Sequence, residues 1–243
     1  MLNNKISYEQ YKNIKSKYSH IASFAYWPLL SKGAEDIIAE NEEEFTSKSL
    51  NNMLHADSVF LGINLGRSKE INELIDSGKV RDIVEYYRSI NNMSNQYGKK
   101  YAYKALMPQI KGTKLEGSYM TDFYKFPLED NELTGWRAYG MPTSNAADLI
   151  KDMKSRGDSY IVDLINNNAK GLYYELYQIV GIQKDPNFII FGKMPYFEKV
   201  LNAILKYFPN SQVVKMPHYQ AYGISKEQFG KEVQKVLGEL NKK

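Results

Sequence analysis

The chain has 243 residues and a net charge of +4, with 43% hydrophobic and 25% charged residues, as in an ordinary soluble globular protein. It contains no cysteine, which excludes disulfide bonds, cysteine nucleophiles, thiolate zinc sites and cysteine-ligated iron–sulfur clusters. No stretch approaches the ~18 apolar residues of a transmembrane helix, and residues 1–9 lack the apolar core of a signal peptide. We therefore expect a cytoplasmic protein with no membrane partner, whose small positive charge favours polyanions only weakly.

Helices are predicted first along the chain. Ser7 and Gln10 have the spacing of a capping box, which predicts a helix that runs to about Tyr18. Further helices are predicted at Ala34–Glu44 and just before His55. Residues 1–55 are therefore expected to form a helical N-terminal extension.

Beyond residue 55, predicted strands alternate with predicted helices. The first two strands are Ser58–Ile63 and Ser118–Tyr124. Between them, Lys69–Asn95 has the apolar period of a helix, with a break near Ser77–Gly78. The later elements are two helices within Ala146–Val180 separated near Gly157 and Lys170, a strand at Asn187–Gly192, a helix at Pro195–Tyr207, a strand at Gln212–Met216 and a helix from Ser225 to about Leu240.

This order of elements predicts the fold class. Helices followed by strand–helix alternation with four strands indicate an α/β protein of three layers, α/β/α, around a central four-stranded, mainly parallel sheet. We find no internal repeat and no low-complexity linker, so we expect residues 1–243 to form one domain with the N-terminal extension packed on it. In such sheets, ligands bind outside the carboxyl ends of the strands.

The first strand ends in the turn Gly62-Ile-Asn-Leu-Gly66, which presents one polar side chain, Asn64. A phosphate-binding P-loop needs four residues between its glycines followed by Lys, whereas three residues intervene here and Arg67 follows. The Gly-x-Gly-x-x-Gly dinucleotide fingerprint is absent as well. A carboxamide suits positioning a water or reading a planar ligand. A purely structural strand-to-helix turn is an equally good interpretation of this loop alone.

Two other strand ends carry polar candidates. His218 follows the fourth strand, and parallel strands would bring it to the same sheet edge as Asn64. Thr121 and Asp122 lie near the end of the second strand, although Thr121 facing the core and Asp122 capping a turn is an alternative. His218 has a structural alternative too, and we interpret His20 and His55 as structural.

Together these strand ends resemble the uracil-DNA glycosylase superfamily over roughly residues 58–223. Gly62-Ile-Asn-Leu-Gly66 is similar to the Gly-x-Asn-Pro-Gly motif of the mismatch-specific and single-strand-selective branches. Met216-Pro-His-Tyr-Gln220 resembles the family's His/Asn-Pro-Ser motif. Met120-Thr-Asp-Phe-Tyr124 resembles the Thr-Asp-Leu-Val strand of the thymine/mismatch branch, and Ile189-Ile-Phe-Gly192 fits the third strand.

The resemblance implies a hydrolase that excises uracil or a related base from DNA by cleaving the N-glycosidic bond, without a metal or an organic cofactor. Asn64 would position the attacking water, and His218 would stabilise the departing base. The base would leave the duplex stack and enter a pocket. The residues implied to contact the substrate are Gly62, Ile63, Leu65, Tyr97, Thr121, Asp122, Tyr219 and Gln220.

Two departures from the family motifs keep other functions open. Leu65 stands where the family has proline, and Tyr219-Gln220 stand where it has Pro-Ser. These changes fit a non-catalytic protein that binds nucleic acid or another partner on a glycosylase fold, and an unrelated α/β enzyme acting on free nucleosides or nucleotides is a third possibility. Tyr97–Lys104 mixes lysines with aromatic rings and, with Lys111 and Lys114, would form a DNA-facing rim or a solvated loop.

Overall fold

A computed structural model describes residues 2–27, 38–64, 69–81, 85–86, 105–124, 146–166, 171–192, 197–218 and 223–242. None of the helices in these ranges is long and apolar enough to cross a membrane. The helices are α1 (Tyr8–Tyr18), α2 (Glu42–Ser47), α3 (Leu50–Met53), α4 (Lys69–Asp76), α5 (Met107–Ile110), α6 (Ala146–Arg156), α7 (Asp158–Asn166), α8 (Leu172–Tyr174), a π-helical segment (Glu175–Val180), α9 (Phe197–Tyr207) and α10 (Lys226–Leu240).

Two capping boxes expected from the sequence begin the first and last of these helices. At α1, the Ser7 hydroxyl accepts a hydrogen bond from the Gln10 backbone, and the Gln10 side chain accepts one from the Ser7 backbone. Ser225 and Gln228 make the same reciprocal pair at α10. Each box satisfies two backbone N–H groups that no helical carbonyl can reach.

The helix predicted at Ala34–Glu44 is wrong over residues 38–41 and confirmed over Glu42–Glu44. Residues 28–37 lie outside the described residues, and residues 38–40 are not helical. The helix begins at Glu42 because the Asn41 side chain accepts a hydrogen bond from the Glu44 backbone and caps it. Three glutamates in the first turn of α2 then suit the positive end of the helix dipole.

The break predicted within Ala146–Val180 is confirmed at Gly157, which separates α6 from α7. Its φ of +76° is a left-handed conformation that side chains with a Cβ rarely adopt. After residue 170 the chain forms α8 and then a π-helical segment rather than one further α-helix. Such π-helical turns are rare and are often found at functional sites.

The strands form one mixed sheet, mostly parallel, in the order β1-β3-β2-β4-β5. β2, β3, β4 and β5 run parallel to one another and correspond to the four predicted strands. Because they are parallel, all four end at the same edge of the sheet. The strands are β1 (Ser23–Phe24), β2 (His55–Asn64), β3 (Ser118–Tyr124), β4 (Asn187–Phe191) and β5 (Val213–Met216).

The sheet has five strands where the sequence predicted four. The added strand, β1, has two residues and pairs antiparallel with β3. Two residues are too few to show an alternating apolar pattern. β1 pairs with the edge of β3 that β2 leaves free, and no local sequence pattern predicts this pairing.

Helices cover both faces of the sheet. On the first face, α1, α7, the π-helical segment and α9 pack with strand residues that include Val59, Leu61, Tyr119 and Ile190. On the second face, α5 and α10 form a smaller cluster with strand residues Phe60, Ile189, Phe191, Val214 and Met216. Side chains of successive strand residues point to alternate faces of the sheet. Each residue near a strand end therefore lies on one of the two faces described above.

Candidate functional site

The strand order places a crevice between β2 and β4. β2 pairs with β3, which follows it along the chain, on one side, and with β4 on the other. The chain therefore leaves these two strands in opposite directions across the sheet, which is the topological switch point where α/β sheets bind ligands. The candidate site comprises the residues at the carboxyl ends of β2–β5 around this crevice.

Asn64, at the end of β2, and His218, two residues beyond the end of β5, lie at corresponding positions along the sheet. Ile190 of β4 pairs with Leu61 on one side and with Lys215 on the other. Asn64 is three residues beyond Leu61, and His218 is three residues beyond Lys215. Neighbouring strands lie about 4.8 Å apart, so the backbones at Asn64 and His218, on either side of β4, are roughly 10 Å apart. The sequence-based expectation that His218 emerges at the edge where β2 ends is thereby met by the backbone.

His218 packs at this edge against an aromatic ring. Its imidazole meets the Phe191 ring nearly edge-on, at 69° with 5.5 Å between ring centroids. Its Cβ lies 3.7 Å from the position that a Cβ on Gly192 would take. Burial lowers the pKa of His218 to about 4, so the ring is neutral at physiological pH. A neutral imidazole carries one N–H donor and one acceptor nitrogen.

Asp122 and Gly62 meet on the second face of the sheet. They are paired in the register of β2 and β3. A Cβ built on Gly62 would lie 2.0 Å from Asp122 Oδ1, so the carboxylate occupies the space that a side chain at position 62 would need. The Asp122 side chain is half-buried and extends from β3 over Gly62 of β2, the strand that borders the crevice.

Thr121 and Ile63 lie on the first face, away from Asp122. The Thr121 hydroxyl donates a hydrogen bond of 2.8 Å to Glu175 Oε1 in the π-helical segment. The Tyr119 hydroxyl donates to the same oxygen, also at 2.8 Å. Burial and the neighbouring Glu175 raise the pKa of Tyr119 well above its usual value, so it remains a donor. Ile63 packs against the apolar cluster of the same face.

Several site residues named from the sequence fall outside the described residues. They are Leu65, Tyr97, Tyr219 and Gln220, together with the side chain of Asn64. The backbone of Asn64 is described, and it is the last residue of β2, paired with Tyr124 of β3.

Comparisons of the chain with protein-family models, with curated proteins and with solved structures find no match.

The other two histidines lie in the protein interior. His55 at the start of β2 is buried, and its Nδ1 accepts a hydrogen bond from the Asp57 backbone at 3.3 Å. Its Nε2 therefore carries the proton and donates to the Glu116 carbonyl at 2.9 Å. Burial lowers the pKa of His55 and keeps it neutral. His20 is buried as well.

Part of the lysine rim expected from the sequence is engaged elsewhere. Residues 97–104 lie outside the described residues. The Lys114 ammonium donates to the Leu240 carbonyl at 2.8 Å and to Asn241 Oδ1 at 2.7 Å, at the carboxyl end of α10. A cation there suits the negative end of the helix dipole. Lys111 is exposed.

Sequence reasoning missed two residues that shape the site. Phe191 supplies the aromatic wall beside His218. Glu175 is completely buried and holds two alternate residues of β3 on the first face. A signal existed for Glu175, because it is the one charged residue in the apolar run Gly171–Ile182, and a charge in such a run is rarely buried without partners.

The site combines a neutral imidazole on an apolar wall, a carboxylate over a glycine and the strand-end Asn64. In the parts of the chain that the structure describes, no group of three or more His, Asp or Glu side chains is placed to hold a metal ion. Neutral hydrogen-bond donors beside apolar side chains stabilise negative charge that develops on a leaving group. The arrangement thus suits the cleavage of a bond whose leaving group becomes an anion.

Proposed function

We propose that this protein is a uracil-DNA-glycosylase-like hydrolase, which excises uracil or a related base from DNA. One observation carries the proposal. Asn64 and His218 lie at corresponding positions along the sheet, on either side of β4, at the switch point of the sheet. The motifs at these two positions are the ones that resemble the glycosylase family.

The neutral state of His218 supports this proposal. As the glycosidic bond breaks, its electron pair leaves with the base, and negative charge develops on a base oxygen. A neutral imidazole can donate its N–H to that oxygen without a prior protonation step. The Phe191 ring beside it excludes water and strengthens the hydrogen bond.

The position of Asn64 supports the second half of the reaction. A carboxamide oxygen at the end of β2 accepts a hydrogen bond from a water and holds it against the sugar C1′. This is a positioning effect, because an amide accepts a proton too weakly to act as a base. The DNA strand would lie across the carboxyl edge of the sheet, with the base turned into the crevice.

The test is the release of abasic sites from oligonucleotides that contain uracil, as single strands and in U·A and U·G pairs. We expect His218→Ala to lower the single-turnover rate about 100- to 1,000-fold, the range for loss of one donor to a developing anion. We expect Asn64→Ala to lower it strongly as well. Asn202→Ala, on the exposed side of α9, is the matched control and should cleave at the wild-type rate.

Circular dichroism of each variant separates loss of activity from loss of fold. If high enzyme concentrations release no base from any of the three substrates, the glycosylase proposal is wrong. Salt-sensitive DNA binding that survives Asn64→Ala, without cleavage, would instead identify a non-catalytic binding protein. Cleavage of free nucleosides with no activity on oligonucleotides would identify a small-molecule enzyme.

A further inference from the structure

Asp122 is an ionisable residue beside the crevice that has no part in the roles proposed for Asn64 and His218. Its carboxylate lies on the backbone of β2, with Oδ1 2.0 Å from the Cβ position of Gly62. Gly62 is two residues before Asn64 on the same strand. The carboxylate therefore lies beside the end of β2 that presents Asn64, and across β4 from His218.

Hydrolysis of an N-glycosidic bond makes two demands that Asn64 and His218 do not meet. The C1′–N bond breaks with its electron pair on the base, which leaves positive charge on the sugar ring. A water oxygen then bonds to C1′, and one of its protons must go to an acceptor. Carboxylates meet both demands in enzymes that cleave glycosidic bonds. An amide is too weak an acceptor, and the His218 N–H is committed to the departing base.

We propose that Asp122 is a catalytic carboxylate of this site, an inference that rests on the proposed glycosylase function. It faces the sugar C1′, stabilises positive charge on the ring and accepts the proton released when the attacking water bonds to C1′. The substrate then lies across the crevice in one direction, with its sugar toward β2 and β3 and its base toward His218.

Gly62 is required in this arrangement because it admits the Asp122 carboxylate. In Gly62→Ala, the new methyl would take the place of Oδ1 and lie 3.3 Å from Cγ of Asp122. The nearest backbone atom, the Thr121 carbonyl oxygen, would be at an ordinary contact distance of 3.7 Å. The methyl group therefore displaces the end of one flexible side chain while the strand stays in place. Gly62→Ala and Asp122→Asn should impair the same step.

The experiment measures two properties of five variants. The first is the single-turnover cleavage rate of a uracil-containing oligonucleotide. The second is the ratio of affinities for oligonucleotides carrying a cationic pyrrolidine or a neutral tetrahydrofuran as abasic-site analogue. The variants are Asp122→Asn, Gly62→Ala, the double variant, and two controls, Asp163→Asn on the exposed side of α7 and Gly238→Ala on the exposed side of α10.

We expect the wild type to bind the cationic analogue more tightly than the neutral one. Asp122→Asn and Gly62→Ala should each remove this preference and lower the cleavage rate about 100-fold, the lower end of the range for loss of a catalytic acid–base group. The double variant should lose no more than either single variant, because both act through one carboxylate. The two controls should keep the wild-type rate and the wild-type preference.

The outcomes separate the two proposals. If the wild type cleaves but Asp122→Asn cleaves equally fast or keeps its preference for the cation, the role of Asp122 is wrong and the glycosylase function stands. Rate losses that multiply in the double variant would also overturn it, because they would show independent effects. If the wild type neither cleaves nor prefers the cation, the glycosylase function and the role of Asp122 fall together. Thermal melting of Asp122→Asn and Gly62→Ala verifies that both fold.

Discussion

Two neighbouring polar residues of one strand have different environments because they lie on opposite faces of the sheet. On the first face, Thr121 is buried and its hydroxyl donates to Glu175. On the second face, Asp122 is half-buried and extends over Gly62. Side chains alternate along a strand, so adjacent residues of similar polarity are committed to different surroundings.

This difference distinguishes polar groups that stabilise the fold from polar groups that remain accessible to a ligand. Glu175 accepts hydrogen bonds from two residues of β3 in a region closed by helices. At the carboxyl edge of the second face, His218 packs on Phe191 while part of its side chain remains accessible. Buried polar groups are costly unless they are hydrogen-bonded. Polar side chains on the first face therefore need hydrogen-bond partners within the protein, whereas those at the edge of the second face need them less.

The largest effect on stability is expected at Glu175. In Glu175→Leu, a side chain of similar size leaves the hydroxyls of Tyr119 and Thr121 without their acceptor. Each unsatisfied buried group costs about 1–3 kcal/mol, so we expect a loss of about 2–5 kcal/mol in the free energy of unfolding. Urea denaturation monitored by circular dichroism measures it.

Glu175→Gln is the matched control for this prediction. Its amide oxygen can still accept from both hydroxyls, so its loss of stability should be clearly smaller than that of the leucine variant. Equal losses in the two variants would show that the two hydrogen bonds do not account for the lost stability.

A smaller and pH-dependent effect is expected at His218. Its folded-state pKa of about 4 lies below the usual 6.5, so the folded state favours the neutral ring. The resulting stability is fully present above pH 6.5 and is lost as the pH falls toward 4. The full difference corresponds to about 3 kcal/mol. We expect the wild type to lose more stability than His218→Gln between pH 7 and 4.

The comparison with His218→Gln also corrects for the other histidines. The pKa of His55 is lowered by burial too, and its contribution to the pH dependence is common to both proteins. Curves of unfolding free energy against pH that run parallel for the two proteins would contradict the neutral, apolar setting of His218.

The smallest effects, of opposite sign, are expected at one glycine on each side of the sheet. Gly181, which ends the π-helical segment, has a φ of +71°, and a Cβ there would lie 2.6 Å from Gln10 Nε2. Gly181→Ala should therefore lower stability by about 1–2 kcal/mol. Gly238 lies within α10 with open space around its Cβ position. Gly238→Ala should raise stability by about 0.5–1 kcal/mol, which thermal melting can detect.

Local chemistry made much of the fold predictable. The capping boxes at Ser7 and Ser225, the four parallel strands and the break at Gly157 were all expected from residues close together in sequence. A cap acts within three residues, and apolar alternation shows a strand without knowledge of its partner. The same signals placed His218 and Asp122 at strand ends, and the parallel direction of the strands placed those ends at one edge.

The tertiary structure alone decided the pairing of β1 and the face that each polar residue takes. Thr121 and Asp122 are adjacent in sequence, and their separation depends on which helices cover each side of the sheet. The partners of Glu175 lie 54 and 56 residues away along the chain, beyond the reach of any local pattern. The contact of Asp122 with Gly62 likewise required the register of two strands. Sequence fixes local conformation through short-range contacts, whereas these long-range contacts exist only once the whole chain has packed.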